Sequence, residues 1–257
     1  MAVRSGIGKA ALCGLLLGML ACVPGCRPSP DERQGESQVS IAEMAEWEWL
    51  QETKQQLDRQ RARLAQLEAG KQPSEEIVRL RKQVGDLSGE LNRRLVEYIN
   101  ANAGETPGER QLAALRMKSD EDIVLAREYV EQAGDYRRAI EIYETALAAD
   151  PDNPRLRKEL EAAKARRYIT RERFALIREG MKQDEVRRLL GRPNLQDVRA
   201  YPERGVTAWF YPKDASGAAA AVWFRKGTPP DPPNTAPEVY QLDFEAIQPP
   251  PPSPPPG

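Results

Sequence analysis

Apolar residues recur with helical spacing along the first half of the chain. Between residues 41 and 69, Leu50, Leu57 and Leu64 stand seven apart, with Trp47 and Leu67 on the same side. Lys54 and Arg61 fill the intervening core-like positions, so the seam is narrow and half-polar, as in a marginal coiled coil. Residues 69–74 break the pattern. Pro73 stops the helix, and Ser74 is placed to cap the next one, with Glu75 and Glu76 in its first turn. The second segment carries a stronger stripe of Ile77, Leu80, Val84, Leu87, Leu91 and Tyr98. Two helices across a short break predict an antiparallel coiled-coil hairpin over 41–99. Trp47 and Trp49 flank Glu48 and so point to different sides. One is expected on the second helix, and the other is a candidate for partner or membrane-interface contact. Residues 100–108 read as a linker. A further helix is expected from 109 to about 118, with Ser119 capping another whose acidic start, Asp120-Glu121-Asp122, favours the helix dipole.

Beyond residue 170 the period changes from helical to two. Strand-like segments at 196–201, 206–211 and 219–224 are separated by the turns Pro202-Glu203-Arg204-Gly205 and Asp214-Ala215-Ser216-Gly217. Residues 241–247 form a candidate short last strand. Trp209 and Tyr211 alternate with Phe210, and Val222 and Phe224 alternate with Trp223. Alternation sends one set onto the helices and leaves the other outward. The outward set, Trp209 with Tyr211 or else Phe210, together with Trp223, is the candidate partner-binding surface. The expected fold class is α+β. A helical hairpin and a helical-repeat segment precede a small two-layer α/β domain, with two helices packed on a three-stranded antiparallel sheet.

Composition removes several function classes. The net charge of −1 gives no electrostatic footprint for nucleic acid. Histidine is absent, which takes away the commonest general base and the commonest metal ligand together. No glycine-rich phosphate loop occurs, because Gly180, Gly191 and Gly205 are too dispersed. No catalytic residues, metal or cofactor are expected, and the chain reads as non-enzymatic.

The first residues resemble a bacterial lipoprotein signal. Arg4 and Lys9 precede an apolar run at 10–21, which ends in Leu20-Ala21-Cys22. As helix that run spans roughly 18 Å, short of the ~30 Å core of a bilayer. It therefore suits a cleaved signal peptide (1–21) better than an anchor. The resemblance implies lipid on Cys22. Cys26 is the alternative, with Pro24 awkward beside its cleavage site. Cys13 is lost with the leader, so no disulfide framework is available to the body. Acyl chains would hold the protein on a membrane. Val23 (or Arg27) rather than aspartate after the lipidated cysteine favours the outer membrane over the inner, facing the periplasm. Residues 22–40, with Pro28, Pro30 and Gly35, read as a flexible tether. Residues 248–257 read as a proline-rich disordered tail in extended polyproline form.

Two further resemblances concern the body. Residues 120–154 resemble a tetratricopeptide repeat through Gly134-Asp135-Tyr136, Ala139, Tyr143, Ala146-Leu147 and Pro151. Leu125-Ala126 and Tyr129 match one residue early, and Arg127 stands where the family has a small residue. The helix at 153–166 would follow, within a helical module at 109–168. The resemblance implies a helix pair that docks neighbouring elements or proteins. Residues 170–247 resemble the SmpA/OmlA (BamE-like) lipoprotein domain. They share its helix ending in Gly180-Met181, its short helix closing on Leu190-Gly191-Arg192-Pro193, and the later Trp209-Phe210-Tyr211. That resemblance implies partner binding in the cell envelope, with outer-membrane protein assembly as the best-known case. The hairpin, the repeat and the proline run at 229–233 depart from the family's pattern. The expected function is a lipid-anchored envelope adaptor that binds envelope proteins. The alternative is a structural lipoprotein that self-associates through the coiled coil, using Leu80 and Leu87.

Overall fold

The computed structural model describes residues 30–70, 74–101, 108–226 and 236–248, with side chains from residue 41. The signal peptide, Cys22 and Cys26, the proline run at 229–233 and the tail from 249 lie outside the described residues. The described residues fall into two units that divide between Ala45 and Glu46, and the first helix contributes to both. That helix, α1 (Pro30–Ala69), starts inside the segment read as a tether. Proline suits a helix start, because its φ is preset and its missing N–H would have no intrahelical partner there.

The second helix, α2 (Glu75–Ala101), starts as its sequence indicates, with Ser74 Oγ accepting from the Ile77 N–H at 3.2 Å. It runs antiparallel to α1. Arg63 pairs with Glu76 at 2.5 Å, Arg81 with Glu68 at 2.7 Å and Arg94 with Glu46 at 3.4 Å. Leu50 and Leu57 of α1 form one core with Leu91, Leu95 and Tyr98 of α2. Both N-terminal tryptophans face α2. The Trp47 ring lies 5.9 Å from that of Tyr98, and the Arg94 guanidinium lies 3.9 Å from the centre of Trp49.

The third helix, α3 (Glu109–Glu128), is continuous through the expected break near residue 118. Ser119 does not cap a new helix. It is buried, and its hydroxyl donates to Asp150 at 3.0 Å. Nor do the three acidic residues mark a helix start. Asp120 pairs with Arg155 and Asp122 with Lys118. Glu121 is wholly buried; Arg61 donates to both its oxygens, at 2.9 and 2.8 Å, and Lys54 lies 3.3 Å away. The half-polar seam of α1 thus has a cause. Lys54 and Arg61 meet a carboxylate from a third helix, and Ala114 of α3 completes the leucine core beside them.

Tyr129–Ala133 form a widened π turn, and Gly134 ends it in left-handed geometry at φ 65°. Asp135 then caps α4 (Tyr136–Ala149), accepting from the Arg138 N–H at 3.0 Å. Asn153 caps α5 (Pro154–Arg167). Ile123 and Ala126 of α3 pack with Ala139, Tyr143 and Ala146 of α4 and Leu156, Leu160 and Ala163 of α5. Small residues at 126, 139, 146 and 163 bring the three helices close. Arg127 lies outside that core and pairs with Glu159 at 2.6 Å.

The rest is an α/β unit. Of the expected first helix only α6 (Arg171–Phe174) forms, and Gly180 sits in a left-handed turn at φ 83° rather than at a helix end. The short helix α7 (Gln183–Leu190) follows, then β1 (Val198–Tyr201), β2 (Val206–Pro212), β3 (Ala219–Arg225) and β4 (Glu238–Ile247). The sheet is an antiparallel meander of four strands, not three, in chain order. The fourth strand is the longest. Leu242, Phe244 and Ala246 alternate with polar neighbours, and two register irregularities against β3 disturb the simple period of two. Its other edge is partly covered: Gly180 N–H donates to the Val239 carbonyl and Val239 N–H to the Met181 carbonyl, both at 2.8 Å.

Replacing Glu121 with alanine leaves Arg61, in a half-buried site, without that carboxylate and with only the Ser88 hydroxyl, at 3.1 Å, to accept from it. The expected loss is roughly 3–5 kcal/mol of stability, read as a lower urea midpoint. The double replacement Arg61→Leu with Glu121→Leu should cost less than Glu121→Ala alone. Equal or greater cost for the double variant would show that the pair is not coupled.

Candidate functional site

The sheet register decides which aromatic residues face where. Trp209 and Tyr211 stand opposite Val222 and Ala220 and point onto the helical layer, in a core with Phe174, Ile177, Val186, Leu190, Phe224 and Val239. Phe210 points to the opposite face, with Ala208, Ala219 and Ala221 beneath it and Tyr201 and Trp223 beside it. Trp209, Phe210 and Tyr211 are each about 5–6% exposed, so none of the three is an open contact residue; Trp223 is half-buried. The expected outward aromatic surface is therefore mostly enclosed: Trp209 and Tyr211 pack on the helices, and Phe210 packs among neighbours on its own face of the sheet. The four residues are also not brought together. Tyr211 alone of them reaches the cleft described next.

Two short turns, 57 residues apart between Gly134 and Gly191, meet in the fold. Gly134 lies against the carbonyl oxygens of Arg192 and Pro193 so closely that a β-carbon there would collide with both. Gly191, at φ 90°, is approached by the Tyr136 hydroxyl, which would lie 2.9 Å from an added β-carbon. Tyr211 donates from its hydroxyl to the Gly191 carbonyl at 3.1 Å, and burial holds this phenol well above its ordinary pKa. Ile169, just past α5, donates its N–H to the Pro212 carbonyl at 2.8 Å and inserts its side chain into the α/β core. The helices and the sheet are thus joined by backbone contacts at both turns.

Beside this seam lies an open cleft of about 370 Å³. One wall is the turn before α4 and the end of α5. The other comprises Arg173, the Leu190–Asn194 turn and the loop after β2. Five arginines line it: Arg137, Arg166, Arg167, Arg173 and Arg192. Three aspartates, Asp135, Asp197 and Asp214, also line it. Among the described residues none of the five arginines holds a carboxylate, although the nearby Arg138, Lys164, Arg171 and Arg187 do. Arg173 is oriented by the carbonyls of Leu190 at 2.9 Å and Tyr168 at 3.4 Å. Arg167 lies 4.9 Å from the centre of the Tyr168 ring. The buried Nε of Arg192 has no hydrogen-bond partner. Burial pushes the Asp197 carboxyl above the usual carboxylate range, with Arg199 pulling the other way. Reading the sequence for chemistry missed these arginines. The only local signals were the dipeptides Arg137-Arg138 and Arg166-Arg167, and the second, at the C-terminus of α5, also has an ordinary role against the dipole. No cluster suited to a metal ion occurs among the described residues.

A family model for the tetratricopeptide repeat matches residues 131–173. Those residues form a tetratricopeptide-like repeat. The match opens inside the π turn, covers α4 and α5, and ends in α6, so it starts later than the 120–154 expected from spacing. No curated protein and no solved structure matched the chain.

Two substitutions separate backbone strain from contact at the repeat's turn. Gly134 and Gly205 share a φ near +64° (65° and 63°), but an added β-carbon meets nothing within 4 Å at Gly205. Gly205→Ala should cost about 1–2 kcal/mol, the left-handed strain alone. Gly134→Ala should cost clearly more, read as a larger fall in thermal midpoint. Equal falls would mean that the turn does not press on residues 192–193. In the repeat core, burial pushes the Tyr143 phenol up to about 12. Its neutral form is favoured by folding, so its contribution is complete below the unfolded value of about 10 and is lost as pH rises from there toward 12. Urea midpoints should fall over that window and fall less in Tyr143→Phe.

Proposed function

We propose that this protein is a non-enzymatic, protein-binding scaffold, anchored by lipid at Cys22 and working on the periplasmic side of the cell envelope. The observation that carries the binding role is the repeat at 131–173, a type of module that mediates protein–protein interaction. A single repeat lacks the long concave groove of an array. Its binding surface is therefore shared with the α/β unit on which its turn is seated. The leader ending in Ala21-Cys22 supports the anchor and the location, with the outer membrane favoured by Val23. The pattern Gly180-Met181 to Leu190-Gly191-Arg192-Pro193 supports an envelope role related to outer-membrane protein assembly.

Self-association through the coiled coil is the weaker alternative. Leu80 is buried and Leu87 packs against the hairpin core, so the leucines that such a dimer would use are already covered within one chain.

In-cell cross-linking followed by purification from the membrane fraction tests the proposal. Envelope proteins should be recovered with the native chain and lost with Cys22→Ala, while Cys26→Ala behaves as native. Recovery that is unchanged in Cys22→Ala, or recovery of the chain alone, would refute the anchored-scaffold reading.

A further inference from the structure

The cleft beside the repeat has a chemistry that a general docking surface does not need. Its five arginines gather in a space of about 370 Å³, at the small end of ligand-binding pockets, and none is neutralised by a carboxylate among the described residues. Guanidinium groups match carboxylates with two parallel hydrogen bonds, and two of these five are already oriented. Carbonyls fix Arg173, and the Tyr168 ring supports Arg167. Arg192 adds a buried N–H that lacks an acceptor. We propose that this cleft binds an acidic peptide segment of the scaffold's protein partner, an inference that rests on the scaffold reading and names the chemistry of its ligand.

The three aspartates argue for a peptide rather than a phosphate-rich ligand. Asp135, Asp197 and Asp214 would repel a chain of phosphates, which has no donors to offer them. A peptide offers both complements: its carboxylates face the arginines, and its backbone N–H groups face the aspartates. Tyr136 and Tyr168, both half-buried, line the same cleft and supply flat surface for the peptide's apolar parts.

The test uses the full chain and a short fluorescein-labelled, glutamate-rich peptide, followed by polarisation. Its glutamine counterpart is the control. The acidic peptide should bind at least about tenfold more tightly than the glutamine version, and binding should weaken as salt rises from about 50 to about 500 mM. Arg137 and Arg166 are exposed, so Arg137→Gln with Arg166→Gln should leave the thermal midpoint unchanged and weaken the acidic peptide about tenfold or more. Arg178→Gln with Arg204→Gln, exposed and outside the cleft, should leave binding unchanged. Equal binding of the two peptides, or native-like binding by Arg137→Gln/Arg166→Gln, overturns the inference. So does binding of pyrophosphate that depends on those arginines when the acidic peptide does not bind. Cross-linking separates this inference from the scaffold reading. Partners retained by Arg137→Gln/Arg166→Gln overturn the cleft's role and leave the scaffold standing. Partners lost with that variant but kept by Arg178→Gln/Arg204→Gln support it.

Discussion

Glu121 sits in the middle of α3 with its carboxylate withdrawn from water and held by Arg61 and Lys54 of α1. Burying a charge costs several kcal/mol unless its geometry is satisfied, and the paired hydrogen bonds from Arg61 meet that condition. The stripe of leucines between α1 and α2 tolerates sliding by a turn; a buried ion pair does not. This contact therefore sets where α3 lies on the hairpin. The same helix hands Ala114, its sixth residue, to one core and Ile123 and Ala126, its fifteenth and eighteenth, to the next, so the placement of α4 and α5 follows from it.

The second join is different in kind. Gly134 meets the backbone of residues 192 and 193 with no side chain of its own, and Tyr136 and Tyr211 close on Gly191 from two elements. Such a seam depends on the absence of atoms as much as on their presence. Beside it, the carbonyls of Tyr168 and Leu190 hold the Arg173 guanidinium in place.

Much of the architecture was readable locally. Ser74, Asp135 and Asn153 cap the helices that follow them, and Gly134 and Gly191 stand at turns that need a positive φ. What could not be read was the meeting of distant parts. Lys54 and Arg61 look like flaws in a coiled-coil seam until Glu121, 60 residues beyond Arg61, is brought beside them. Alternation told Trp209 and Tyr211 apart from Phe210 but gave no sign that Phe210 would be enclosed by Tyr201, Trp223 and the alanines of its own face. The arginines of the cleft belong to the start of α4, the end of α5, the short α6 and the turn after α7, and only folding makes them neighbours. The expected break at Ser119 failed because its hydroxyl had a partner across the fold in Asp150, not the local N–H that capping requires.

The π turn at Tyr129–Ala133 bears on how far local spacing can be trusted. An α-helix advances about 100° per residue, so one surplus residue would swing everything before it a quarter-turn or more out of phase. A widened turn takes up that residue where it occurs. Ala126 still faces α4, although in the count from Gly134 it stands one place early. Geometry and arithmetic part company at this point in the chain. The matched window opens at residue 131, inside that turn, and α3, intact and in contact with α4, lies just upstream.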